Sequence, residues 1–201
     1  MKLYYAPSSR AVRIAWLLEE LGLSYEIEKF QLGDKEMREP GYRAVHPMGR
    51  VPALEDGDVT LFESGAIVQY ILARHAGGRL QPAVDSPDFP VFLQWLHYAE
   101  GMIMPPMNQI VVETKLLAPD RRSEVHAKRA VKLLAQMLYA VDAHMEGREF
   151  LAGAFSGADV MTGHACMMAG RLGADLSDKP NVAAYNERLA ARPAFQKAES
   201  L

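Results

Sequence analysis

The segment His46-Pro47-Met48-Gly49-Arg50-Val51-Pro52-Ala53-Leu54 places a Val-Pro bond directly before a run with strand character. Proline has no backbone N–H to give to a sheet ladder. About one X-Pro bond in twenty is cis in folded proteins. If this one is, the backbone of Val51 turns outward and can pair, strand-like, with a peptide-like ligand. About ten residues further on, Glu63-Ser64 opens a run with helical spacing. A serine there presents its hydroxyl and the first backbone N–H groups of a helix to an anion, and a carboxylate suits that spot. The neighbouring Glu63 suits an ammonium, and Arg50, beside Val51, is placed to reach a second carboxylate. A third chemical element is Ser8-Ser9, where hydroxyls and the first N–H groups of another helix can converge. The plain alternative for Ser8, Ser9 and Ser64 is helix capping.

These residues need a scaffold that brings three chain segments together. Lys2-Leu3-Tyr4-Tyr5 reads as a short strand, and Ile14, Leu17, Leu18 and Leu21 fall at helical spacing up to a stop at Gly22. Tyr25 to Phe30 reads as a second strand, which completes a right-handed βαβ unit with parallel strands. A polar stretch from Gly33 to His46 has room for an irregular helix. Val51–Glu55 and Val59–Phe62 then flank Asp56-Gly57-Asp58, a strong hairpin signal, and a helix follows from Ser64 to His75. The order βαβ, then ββα, predicts a thioredoxin-like domain over residues 1–78. Prolines and glycines without helical periodicity mark a linker at 79–88.

Residues 89–201 read as all-helical. Helices are expected from about Phe89 towards Pro105-Pro106, from about Asp120 to Gly147, from near Ser156, and from roughly Val182 to Ala191. Pro105-Pro106 should kink or end the first of these. Ser156 with Asp159 reads as a capping box, and Cys166 as a small buried hydrophobe. The fold class is therefore α/β plus all-α, a βαβαββα domain followed by a helical bundle.

Composition narrows the function classes. The formal net charge of −3 comes from 22 basic and 25 acidic residues spread along 201, so no basic stripe follows a phosphate backbone, and nucleic acid is not expected as a partner. The first residues lack the apolar core of a signal peptide and no apolar run is long enough to span a bilayer, so a cytoplasmic protein without membrane partners is expected. One cysteine rules out an intramolecular disulfide and an all-cysteine metal site. His97 and His164 lack metal-like companion spacing, so no metal is expected.

Taken together, H-P-M-G-R-V-P-A-L and the Glu63-Ser64 pair resemble the glutathione transferase superfamily, where an N-P-x-G-x-V-P-x-L segment and a Glu/Gln-Ser pair form the binding site. His46 stands where asparagine is usual, in a residue that shapes a turn. The resemblance spans the chain and implies glutathione as co-substrate, with Val51 and Pro52 on its peptide backbone, Ser64 on the γ-glutamyl carboxylate, Glu63 on the ammonium and Arg50 on the glycine carboxylate. It also implies a homodimer, in which Glu100 reaches the ligand ammonium, and a pocket for hydrophobic electrophiles near Met102, Met104 and Met107.

Catalysis then means activating a thiol. A free thiol of pKa about 8.5 is only roughly 3% thiolate at pH 7, and lowering it by about two units takes roughly 2.7 kcal/mol. One hydrogen bond to a charged acceptor supplies about 1.5–3 kcal/mol, so one hydroxyl aided by a helix N-terminus is enough. Family members carry Ser, Cys or Tyr in the first turn. Counting back from Ala11-Val12-Arg13, the serine of theta- and zeta-like members falls nearer Ala6 and the beta-class cysteine nearer Arg10. Pro7-Ser8-Ser9-Arg10 followed by Trp16-Leu17-Leu18-Glu19-Glu20-Leu21 is more similar to serine-containing fungal and bacterial transferases, which favours Ser9, then Ser8, with Tyr5 third. The resemblance admits two other functions: a glutathione-dependent peroxidase or reductase, and a non-catalytic binding protein on the same scaffold.

Overall fold

The protein is described by a computed structural model covering all 201 residues. The chain forms two compact units, one of Met1–Gln81 with Ala190–Leu201 and one of Pro82–Leu189.

The first unit is built on a four-stranded sheet of order β2-β1-β3-β4. Strand β1 (Lys2–Tyr5) pairs in parallel with β2 (Glu26–Lys29) and antiparallel with β3 (Ala53–Asp56), which pairs antiparallel with β4 (Val59–Phe62). Helix α1 (Ala11–Leu21) makes the crossover between β1 and β2 and ends on Gly22, whose φ of 64° lets its N–H close back on the carbonyls of Leu18 and Glu19. Residues Ala11 to Leu18 of α1 are all buried, because this helix lies against both a sheet face and a neighbouring helix. After a 3-10 turn at Glu36–Arg38, α2 (Pro40–Val45) takes Pro40 in its first turn, where a missing N–H costs nothing. The expected irregular helix in 33–46 is this pair of short turns.

Alternation along β1 divides the core. Tyr4 joins Phe30, Met37, Tyr42 and Ala53 in one cluster, while Leu3 and Tyr5 are fully buried on the opposite face. The hairpin forms as expected, but its central pair is Gly57-Asp58, with Gly57 at φ 59° in the first central position that a type II′ turn reserves for glycine. Helix α3 (Ser64–His75) completes the thioredoxin-like order βαβαββα.

The last twelve residues correct the expected division at 89. Helix α9 (Pro193–Glu199) packs on α1, with Phe195 edge-on to Trp16 at 4.9 Å. Arg192 donates to both carboxylate oxygens of Glu20 at 2.6 and 2.8 Å, and Lys197 pairs with Glu19 at 2.7 Å. Seven residues are too few to show a helical period, and only docking against α1 gives them a face.

In the second unit, α4 (Phe89–Tyr98) passes through a π-helical turn at Ala99–Ile103 into α5 (Met104–Val111). Pro105 and Pro106 fall in the first turn of α5, so the wide turn before them absorbs the two missing donors. Helix α6 (Glu124–Met145) buries Ala130, Leu134, Leu138 and Val141 on one face. Another π-helical turn, Asp159–Gly163, leads into α7 (His164–Arg171), where Cys166 is fully buried, and α8 (Pro180–Ala190) follows. No helix is long and apolar enough to cross a membrane.

Candidate functional site

The sheet registers bring the three chemical segments to one end of the first unit. Tyr4 lies opposite Ala53, and Ala53 opposite Phe62. Continuing one residue past those ladders sets Pro52 between the end of β1 and Glu63. The turn Ala6-Pro7-Ser8-Ser9, the Val51-Pro52 pair and the start of α3 therefore share an edge. The Val51-Pro52 bond is cis, and Val51 stands two residues before the β3 ladder begins at Ala53.

Backbone conformation singles out this edge. Only three residues other than glycine have positive φ, and two are here: Ser8 at 57° and Glu63 at 76°. Such conformations cost of order 1–3 kcal/mol each and persist where the surroundings over-determine them, often at ligand clamps. Glu63 is exposed, so burial of its side chain gives no return for that strain. Its backbone turn sets the carboxylate beside Ser64 at the head of α3.

Ser64 is 97% buried, with relative exposure of 3%. No side chain caps α3, which removes plain capping as the account of this serine. Its Oγ instead accepts a hydrogen bond from Nη1 of Arg13 at 3.2 Å, and Arg13 is itself fully buried in α1. Sequence reasoning missed Arg13. The available signal was one charge inside an otherwise apolar run from Ala11 to Leu18.

The leading serine candidate sits at the head of α1. Ser9 donates from its hydroxyl to the carbonyl of Ala6 at 2.7 Å and accepts from the N–H of Ala11 at 3.0 Å. Ser9 thus ties the start of α1 to Ala6, the residue that follows β1. Ser8 is exposed in its left-handed conformation. Tyr5, the third candidate, is corrected: its side chain is fully buried and its hydroxyl donates to the carbonyl of Ala198 at 3.0 Å. Strand alternation turns Tyr5 towards α9, away from the Tyr4 face. Arg50 is exposed, and its carbonyl accepts from Tyr42 Oη at 2.5 Å, tying the loop to α2. Glu100 lies half-buried in the π-helical turn of the second unit.

The turn that delivers Val51 depends on its unusual residue. His46 is buried, its ring 4.9 Å from that of Phe62, and Nδ1 accepts from the N–H of Met48 at 3.3 Å. This is the bond an asparagine side chain makes two residues ahead of itself in an Asx turn. The imidazole must be neutral with its proton on Nε2 to accept it. Burial pulls the His46 pKa below its ordinary value, helped by Arg50 and opposed by the turn's own backbone and by Glu63. A depressed folded pKa means that His46 contributes fully above its unfolded value, about 6.5, and that the contribution is lost as pH falls from there through the folded pKa. His46→Asn keeps the acceptor and removes the titration. The expected result is a smaller difference in urea-unfolding stability between pH 5 and pH 7.5 than in the wild type.

Comparison with known proteins fits this geometry. The family described as glutathione S-transferase, N-terminal domain, matches residues 1–73. Glutathione S-transferase 3 of Zea mays is 38% identical over 98% of this chain and 92% of its own length, and glutathione S-transferase 4 of the same plant is 36% identical over 98% and 91%. Among solved structures, a Pseudomonas putida glutathione transferase with one glutathione disulfide bound per subunit superposes with a TM-score of 0.89 at 26% identity, covering all of this chain and 90% of that one. A sphingomonad glutathione S-transferase complexed with glutathione gives 0.84 at 28% identity, covering all of this chain and 98% of that one. Matched over nearly its whole length in sequence and in fold, this chain belongs to the glutathione S-transferase family.

Proposed function

We propose that this protein binds glutathione at the edge formed by Val51-Pro52 and Glu63-Ser64, and transfers it to a hydrophobic electrophile after Ser9 has stabilised the thiolate. The observation that carries the reading is the exposed Glu63 held at φ 76° next to a buried Ser64 that does not cap its helix. Glutathione offers a peptide backbone for Val51, a γ-glutamyl carboxylate for Ser64, an ammonium for Glu63 and a glycine carboxylate for Arg50. Glu100, a homodimeric assembly and a cytoplasmic location belong to the same reading.

The hydroxyl of Ser9 rests on a neutral acceptor, the carbonyl of Ala6. A neutral hydrogen bond is worth about 0.5–1.5 kcal/mol net, whereas one to a charged acceptor is worth about 1.5–3. A thiolate brought to the β1 end therefore draws the Ser9 proton away by a rotation of the hydroxyl about the Cβ–Oγ bond. The N–H of Ala11 stays on Oγ and strengthens it as a donor. Cys166, fully buried in α7, offers no accessible thiol for disulfide exchange, which favours conjugation over reduction of mixed disulfides.

The test is calorimetric titration with glutathione at pH 7, followed by the ultraviolet absorbance of bound thiolate. Ser9→Ala is expected to bind glutathione within about threefold of the wild type and to lose most of the thiolate signal, the effect of removing about 1.5–3 kcal/mol from the charged form. Ser8→Ala is expected to keep both. Glu63→Gly relieves the positive φ and so gains stability while binding falls at least tenfold, as expected when a charged partner is lost. A wild-type protein that ignores glutathione overturns the reading and directs attention to a binding role on the same scaffold.

A further inference from the structure

Resting on the glutathione reading, we infer that Arg13 is a positioning residue that makes the Ser64 hydroxyl a directed donor to the γ-glutamyl carboxylate. A hydroxyl carries one proton and two lone pairs, and left alone at a helix start it turns to whichever neighbour suits it. In this protein one lone pair is already taken, because Nη1 of Arg13 donates to Ser64 Oγ at 3.2 Å. An arginine has no acceptor, so the serine proton must point away from the guanidinium. Accepting from a cation also polarises the O–H bond and makes it a stronger donor.

Placement supports the role. Arg13 is fully buried in the first turns of α1, and Ser64 is the first residue of α3, 51 positions later. A charge is taken out of water only at considerable cost, so a buried guanidinium is retained where its geometry does something. The side-chain fork is planar, and the serine it meets occupies the α3 start, where no acidic residue sits in the first turn to compete for the N–H groups. A carboxylate entering there meets backbone N–H groups, a pre-aimed hydroxyl and the positive charge behind it. Arg13 touches Ser64 and acts through it, so its effect belongs to recognition of one carboxylate, separate from the sulfur.

The experiment compares glutathione with γ-aminobutyryl-cysteinyl-glycine, which lacks only the γ-glutamyl carboxylate, and with glutaryl-cysteinyl-glycine, which keeps that carboxylate and lacks only the ammonium. The wild type is expected to prefer glutathione over the decarboxylated form. Arg13→Met and Ser64→Ala should each reduce that preference about tenfold, and the double variant should lose no more than either single one. The loss should sit in KM for glutathione, while the pH midpoint of the thiolate signal stays in place. Arg13→Lys, which keeps the charge but not the planar fork, decides the matter if Arg13→Met does not fold: a preference reduced at least threefold supports the assignment. Equal weakening of all ligands, additive losses in the double variant, or an unchanged preference in Arg13→Lys overturns it. Wild-type protein that binds no glutathione fails the underlying reading instead, an outcome recognisable before any variant is made.

Discussion

Gly49→Ala is expected to cost about 3 kcal/mol of stability, the sum of a left-handed residue acquiring a Cβ and of overpacking a tight contact. Gly49 has φ of 59°, and a Cβ built on it falls 2.1 Å from the carbonyl oxygen of Met37. That neighbour is backbone in a 3-10 turn, so it has no rotamer to move to and the loop must shift as a whole. The same glycine closes the turn by donating its N–H to the carbonyl of His46 at 2.8 Å. For a chain of this size each kcal/mol moves the melting temperature by roughly 2–4 °C, so a fall of roughly 6–12 °C is expected by circular dichroism. Because the turn leads directly into Arg50 and Val51, glutathione affinity should fall with it. A variant that melts normally while binding weakly would mean that the loop had found another path.

Asp159→Ala is expected to be the larger loss, about 4 kcal/mol. The carboxylate is fully buried and accepts from the N–H of Leu151 at 3.0 Å, the N–H of Ser156 at 2.9 Å, the Ser156 hydroxyl at 3.1 Å and the Tyr185 hydroxyl at 2.7 Å. Burial pushes this carboxyl up in pKa, against the pull of these four donors. Alanine leaves several buried donors without an acceptor, at about 1–3 kcal/mol each and less than additively. Asp159→Asn keeps the shape and one acceptor oxygen and should lose about half as much. Urea unfolding of the three proteins checks the order. The effect should reach the second unit first, since every partner of Asp159 lies within Pro82–Leu189.

Much of the first unit was legible because its signals are local. The 3.6-residue spacing of Ile14, Leu17, Leu18 and Leu21, the glycine stop at 22 and the hairpin around Gly57 depend on neighbours in sequence. The Val51-Pro52 and Glu63-Ser64 pairs are joined into one site in the sequence by the resemblance of their motifs, and the registers supply the physical reason, by placing them on one edge. Tyr5 was misplaced because strand alternation gives two faces but does not say which of them a ligand meets. Its hydroxyl finds Ala198, 193 residues away, a contact that no pattern in the sequence announces. Ser156 and Asp159 were visible as a capping box, yet the Tyr185 contact that completes it comes from 26 residues further on. Arg13 was overlooked for a related reason: a lone charge in an apolar helix acquires meaning only when its partner is known.

The return of residues 190–201 to the first unit makes the helical unit, in chain connectivity, an insertion. A fragment ending at residue 81 lacks Phe195 against Trp16 and the Arg192–Glu20 clamp, and so lacks part of its own core. Recombination between relatives that exchanges the N-terminal half alone would break that core even when the junction at 81 and 82 is clean. The units that can be shuffled are the helical insert by itself, or the head of the chain together with its tail. Selection on the last twelve residues is thus tied to α1, and sequence change at the two extremes of the gene should be correlated.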